Sequence, residues 1–339
     1  MPSSRMRVVV TGATGFLGRQ VLQRLVLRED LEVIAACRRP DGLNHFRGET
    51  LVGDLLDADY RKRIAQHADV ICHTGTWAAF WGHAALERSH FLEPALDLLE
   101  QAERHGVQRY ILASSVAIAR RPKGELIDDF AAAQRTGYWP HLDRLIDLDQ
   151  RMQQRAGATR CINLRLGHFV GAGNARGMVP ALVPRLRTRL VPWLAGGRAR
   201  LALVADEDLG EAFALASTVD GLDDYESFNI CGPSFPTARE VFDFICQESG
   251  SPRPWFSVPY WAGYAFGWLM ETLHPVLPGS APFLTRSLVH VAEDWHCDSR
   301  YAARKLGYIA RKPWQVAVKE ALAELEQRGF PWPELAQHP

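Results

Sequence analysis

The run VVVTGATGFLG, Val8–Gly18, places three glycines, Gly12, Gly15 and Gly18, between a strand-like apolar stretch and a stretch of helical spacing. Such a turn needs a residue without Cβ. A bound pyrophosphate needs the backbone to come close, and the helix that follows offers partial positive charge at its N-terminus. A glycine triplet carries weight only in this setting, and here RVVVTG precedes it, a helix is expected over Gly15–Arg28, and a second strand, LEVIAACR, follows. The loop therefore reads as a dinucleotide cradle made by Gly12, Thr14, Gly15, Phe16, Leu17 and Gly18.

The end of that second strand bears on which dinucleotide is bound. An NAD site usually has Asp or Glu there for the ribose 2′-hydroxyl. This chain has AACRRP, with Arg38 and Arg39 and no carboxylate. A guanidinium can pair in bidentate fashion with a 2′-phosphate. NADP is the expected cofactor, ahead of NAD.

Further strands are expected at ETLVGDLLD, ADVICHTG, GVQRYILASS and ATRCINLRLG, with a long helix over Ala84–Arg104. Strands alternating with helices imply an α/β fold, a doubly wound parallel sheet of Rossmann type, because each parallel crossover needs a covering helix. After Gly171 glycine, proline and tryptophan become frequent and helices predominate, over Val179–Leu190, Asp206–Ser217, Thr237–Glu248, Trp261–Leu273 and Trp314–Arg328. The expected division is a cofactor domain over 5–170, rejoined by about 201–232, and a smaller, mostly helical substrate domain over 171–339. RLALVADEDLGEAFALA is expected to return to the sheet.

Bulk properties exclude several classes. The 339 residues carry 39 basic and 39 acidic side chains, without the basic excess of a nucleic-acid binder. The six cysteines are scattered with no C-x-x-C pair, so neither a metal site nor a disulfide framework is expected. No apolar run reaches the roughly 18–20 residues needed to span a bilayer, and MPSSRMR, which has no apolar stretch, is not expected to act as a signal segment. A cytoplasmic protein is expected.

These residues resemble the extended short-chain dehydrogenase/reductases, the NAD-dependent epimerase/dehydratase superfamily, with their T-G-x-x-G-x-x-G loop. GDLLD is similar to that family's adenine-contacting segment, which implies roles for Asp54 and Leu55. ICHTGTWAAFWG, RYILASSVAIA and LRLGHFVGAG resemble later segments of the branch holding 3β-hydroxysteroid dehydrogenases and 2-alkyl-3-oxoalkanoate reductases. They imply cofactor contacts at Thr74, Gly75, Leu166 and His168. VPYWAGYAFGWLMETL and DSRYAARKLGY are similar to the branch's closing segments.

In that family a serine polarises the substrate carbonyl, a tyrosine transfers a proton and a lysine four residues on supports it. Ser115, beside Ser114, matches the serine. The pair that follows departs from the pattern. Aligning the helix by Asp149 puts His141 in the tyrosine position and Leu145 in the lysine position; aligning it by Tyr138 puts Leu142 there. No lysine lies between Lys123 and Lys305, and Phe91 stands where the family's supporting asparagine would be. Three readings stay open. Tyr138 or His141 donates the proton, with Arg144 supplying positive charge; or the protein binds NADP with little or no turnover, as a sensor or partner subunit; or the fold serves nucleotide-sugar epimerisation or dehydration.

The second half carries Trp255, Trp261, Trp268, Trp295, Trp314 and Trp332 among other aromatics. They read either as a domain core or as the walls of an apolar cleft for a lipid-like or polycyclic small molecule. A helix resting on a membrane surface is a further alternative. A nucleotide-sugar site would draw instead on RLRTRL, Arg198 and Arg200. The resemblance also implies a homodimer built from helices Ala84–Arg104 and His141–Arg155. Leu92, Leu96, Leu99, Leu145, Leu148 and Met152 lie there at the spacing of an apolar stripe.

Overall fold

The computed structural model describes residues 5–121, 126–155, 157–276 and 282–332. Lys123 and the first four residues lie outside them. The strands are β1 (Met6–Thr11), β2 (Leu31–Cys37), β3 (Glu49–Val52), β4 (Val70–His73), β5 (Arg109–Ser115), β6 (Arg160–Leu166), β7 (His168–Val170), β8 (Trp193–Leu194), β9 (Leu203–Ala205), β10 (Tyr225–Ile230) and β11 (Ser257–Val258). Seven of them form one sheet in the order β10-β6-β5-β4-β1-β2-β3, and every pairing in it is parallel. The order reverses between β1 and β4. Ligands bind at the crevice above the carboxyl ends of strands at such a reversal.

Helices cover both faces. α1 (Phe16–Leu25) buries Leu17, Val21, Leu22 and Leu25, all on one face, against the sheet. Each such side chain is worth about 1.5–3 kcal/mol when fully buried. α2 (Ala58–Gln66), α3 (Ala84–Glu87), α4 (Glu93–Arg104) and α5 (Pro140–Gln153) contribute to the core on the opposite face. The Ala84–Arg104 stretch is helical throughout, but Arg88–Leu92 winds as a π-helical turn between α3 and α4.

α6 (Met178–Arg187), α7 (Asp206–Thr218), α8 (Ala238–Ser249), α9 (Tyr260–Leu273), α10 (Arg286–Val291), α11 (Arg300–Leu306) and α12 (Trp314–Gln327) complete the chain. α7 packs beside α1 in the sheet layer, whereas α6, α8 and α12 share a separate core of their own.

The segment expected to return to the sheet divides differently. Leu203–Ala205 pairs with His168–Val170 in a small two-stranded sheet, and the strand that joins β6 is β10, YESFNI. Its polar residues hide a buried strand from a hydrophobicity reading. Glu226 accepts from the Tyr301 hydroxyl, and the Asn229 amide donates to the Ile127 carbonyl while its backbone N–H donates to Asp129. Buried polar groups are tolerated when they are bonded in this way.

The leucine stripes also find partners within the chain. Leu92, Leu99, Leu145, Leu148 and Met152 are buried in the core under α4 and α5, and Leu96 is half-buried against it. Their spacing therefore reflects packing onto the sheet and lends no support to pairing between copies. All six cysteines are buried and unpaired. Among the described residues no helix is long and apolar enough to cross a membrane.

Candidate active site

The glycine loop is built for close approach. Gly12 has φ of 64°, and a Cβ there would sit 2.6 Å from the Gly75 Cα. A Cβ on Gly18 would lie 2.2 Å from the Gly12 carbonyl oxygen. α1 begins at Phe16, and the Gly15 that precedes it offers no side-chain cap, so the first N–H groups of the helix remain available to an anion. The loop is braced from β4: the Thr74 hydroxyl donates to the Thr11 carbonyl at 2.6 Å, and the Gly75 N–H donates to Thr11 Oγ1 at 3.1 Å. His73 sits 2.9 Å from the same hydroxyl, and burial pushes its imidazole down to about 4, so it is neutral at working pH. A Gly18→Ala variant is expected to fold yet lose measurable NADPH binding in a fluorescence titration, because only backbone lies in the way of the new methyl.

The remaining expected cofactor residues gather around one cleft of about 1570 Å³. Thr14, Phe16, Leu17, Arg38, Asp54, Leu55, Thr74, Gly75 and His168 line it, together with the three glycines. Arg38 and Arg39 are exposed at its edge, with no hydrogen-bond or ion-pair partner among the described residues. Asp54 is held by accepting the Leu56 N–H at 3.0 Å. Leu166 is the exception. It is buried inside β6, paired with Ser115 and Ile230, and its neighbours Gly167 and His168 reach the cleft in its place. Burial pushes His168 down to about 4. The cradle, the free helix amides and the unpaired arginines fit a nicotinamide dinucleotide.

The same cleft extends over apolar side chains of the second half, among them Trp193, Leu194, Phe242, Phe256, Phe266 and Met270. α9 presents Ala262, Gly263, Phe266 and Met270 to it, while Trp261 and Trp268 on the same helix are 73% and 54% exposed. The tryptophans thus divide. Trp295 and Trp314 are buried in cores, whereas Trp255, Trp261, Trp268 and Trp332 are exposed. The arginines proposed for a diphosphate mostly have partners within the chain: Arg185 lines the cleft but is buried on the Phe283 and Ala181 carbonyls, Arg187 stacks on Phe330, and Arg200 bonds His296.

Between the cofactor loop and the apolar walls stand the candidates for chemistry. Ser115, at the end of β5, lines the cleft; its Oγ accepts the Ala117 N–H at 3.2 Å, which leaves the hydroxyl proton free to donate. Ser114 also lines the cleft, and its Oγ is buried with no partner among the described residues. On α5, His141, Leu142 and Leu145 line the cleft. Asp149, further along the helix, anchors it by accepting from Asn163 and the Tyr225 hydroxyl.

Tyr138 does not line the cleft. Its hydroxyl donates to the Tyr264 hydroxyl and lies 3.2 Å from His290 Nδ1, with the Arg286 guanidinium over its ring. Burial raises its pKa above the ordinary tyrosine value, against a smaller lowering by the bond to Tyr264. Arg144 pairs with Asp147 on its own helix and is absent from the cleft lining, so it does not supply charge to the site.

One participant was not anticipated. Glu87, the last residue of α3, is fully buried and meets His141 Nδ1 at 2.9 Å through Oε2. Phe91, on the π-helical turn, packs its ring 5.0 Å from the His141 ring. The signal available in the sequence was a lone glutamate in an apolar helix, which carries no pointer to a partner 54 residues away.

The sequence profile of the NAD dependent epimerase/dehydratase family matches residues 8–231. A putative dihydroflavonol 4-reductase of Synechocystis sp. is 24% identical over 332 residues, covering 93% of this chain and 92% of that protein. A 2-alkyl-3-oxoalkanoate reductase of Shewanella oneidensis is 25% identical over 346 residues, covering 94% of this chain and 84% of its own. A solved UDP-glucose 4-epimerase of Thermus thermophilus, in complex with NAD, superposes with a TM-score of 0.69 at 19% identity, over 95% of this chain and 99% of that one. At that identity the likeness is one of fold.

Proposed function

The chain belongs to the NAD dependent epimerase/dehydratase family, and on that footing we propose that it is an NADP-dependent oxidoreductase acting on the keto or hydroxy group of an apolar, lipid-like or polycyclic substrate. The observation that carries this reading is a single cleft that joins the glycine loop, Ser115, His141 and an apolar wall. The relatives named as reductases agree with the reaction class. The commitment of Arg185, Arg187 and Arg200 to internal contacts weighs against a nucleotide-sugar diphosphate in the same space.

Gly12, Gly15, Gly18 and the first turn of α1 would hold the pyrophosphate, and Arg38 with Arg39 the 2′-phosphate. When bound, the reduced nicotinamide would supply a hydride to the substrate's carbonyl carbon. The Ser115 hydroxyl donates a hydrogen bond to the carbonyl oxygen, where negative charge gathers as the π pair moves onto it. His141, as the doubly protonated imidazolium, gives its Nε2 proton to that oxygen while Nδ1–H stays on Glu87, and the ring takes up a proton again from water through the cleft. The apolar walls bury the substrate body and exclude water, which strengthens both contacts.

Loss of NADPH absorbance with a panel of long-chain β-keto acids and polycyclic ketones tests this. Turnover is expected, with kcat lowered about 10²–10³-fold in Ser115→Ala, as for other donors to a developing oxyanion. NADPH binding with no turnover on any ketone would make this a binding protein. Conversion of a UDP-sugar instead would make it an epimerase.

A further inference from the structure

We propose that Glu87 is a positioning residue for the reaction, fixing the tautomer and orientation of His141 so that Nε2 is the nitrogen offered to the substrate. The proposal rests on the reading that His141 is the proton donor, and it assigns a replacement for the missing tyrosine–lysine pair: a buried histidine–carboxylate pair.

Burial and bonding together make the case. Glu87 has 0% exposure, and a buried carboxylate persists only when its oxygens are occupied. Both are. Oε1 accepts the Ala79 N–H at 2.8 Å and Oε2 faces His141 Nδ1 at 2.9 Å. A carboxylate can only accept, so the proton of that contact belongs to Nδ1, and Nε2 is left as the ring nitrogen without a protein partner. The side chain of His141 is 14% exposed and lines the cleft, so its free edge meets the substrate space rather than bulk water.

The carboxylate is itself held. Trp139, which precedes α5, donates its indole N–H to the Ala79 carbonyl at 3.0 Å. Ala79 therefore ties the loop after β4 to Glu87 through its N–H and to the start of α5 through its C=O. The π-helical turn Arg88–Leu92 follows Glu87 directly and carries Phe91 against the imidazole. Turns of this kind recur where a helix must re-aim a side chain at a site. A carboxylate on Nδ1 is a recurrent way to orient a histidine that moves protons through Nε2.

The experiment combines rates with nitrogen NMR of ¹⁵N-histidine-labelled protein, the His141 signals being assigned by their loss in His141→Ala. In the wild type, wherever the ring is neutral, Nδ1 is expected to carry the proton and Nε2 to be bare. Glu87→Gln, which keeps the shape but can donate as well as accept, is expected to disturb that preference. It should lower kcat about 10²-fold or more, within the 10²–10⁴ range of acid–base catalysis, with KM and NADPH affinity unchanged. In a His141→Ala background, Glu87→Gln should cost nothing further, because a residue acting through another loses its effect when that residue is gone.

Wild-type kcat in Glu87→Gln, an equal loss with and without His141, or a bare Nδ1 in the wild type would each overturn the assignment. The wild-type NMR measurement decides the pairing even if the variant fails to fold. If wild type reduces no ketone, the reductase reading falls while the NMR result still stands for or against Glu87.

Discussion

His141→Ala is expected to lower ketone reduction by NADPH about 10²–10⁴-fold, the usual contribution of a positioned acid, without weakening NADPH binding. Tyr138→Phe should run within a few-fold of wild type. The contrast follows from placement. His141 lines the cleft with Ser115, whereas the Tyr138 hydroxyl is spent on Tyr264 and His290 outside it. Burial also raises the Tyr138 pKa, against smaller lowerings by the bond to Tyr264 and by the Arg121 and Arg286 charges. Steady-state rates and a fluorescence titration on the same two variants measure both effects. A full-rate His141→Ala, or a Tyr138→Phe as slow as the expected histidine variant, would return the proton transfer to the tyrosine.

Arg38→Ala is expected to weaken NADPH binding by roughly 10–100-fold and to leave NADH binding unchanged. A hydrogen bond to a charged group is worth about 1.5–3 kcal/mol, and each 1.4 kcal/mol is tenfold in affinity. Arg38 suits the role because it is exposed at the cleft edge and no carboxylate of the described chain claims it. Arg39 stands beside it in the same condition, so the double variant should lose more than either single one. Titration with both nucleotides measures the ratio, and tighter NADH binding by the wild type would refute the preference.

Much of this molecule was legible in local patterns. The glycine triplet and the strands and helices of the first half follow from spacings that act over a few residues: a Cβ that will not fit, an apolar period of two or 3.6, a helix needed between parallel strands. The placing of Arg38 and Arg39 at the edge of the cleft belongs to the same class, since it follows from where β2 ends. The cleft-facing place of His141 was one of two registers allowed by the sequence around α5.

What chose between those registers was the start of the helix. α5 begins at Pro140 with Trp139 as its cap, so Tyr138 precedes the helix and shares no helical face with Leu142. Gly137, at φ of 73°, turns the chain before it, and the tyrosine packs toward α9 and α10 instead of the cleft. β10 likewise declared itself only once Tyr301, Ile127 and Asp129 were there to satisfy its polar groups. Glu87 and His141 meet because α3 packs against α5 through contacts that no local periodicity encodes. A sequence states which residues can form a helix and which can carry a proton. The packing of one helix on another sets which of them face each other, because it is governed by side chains distant along the chain.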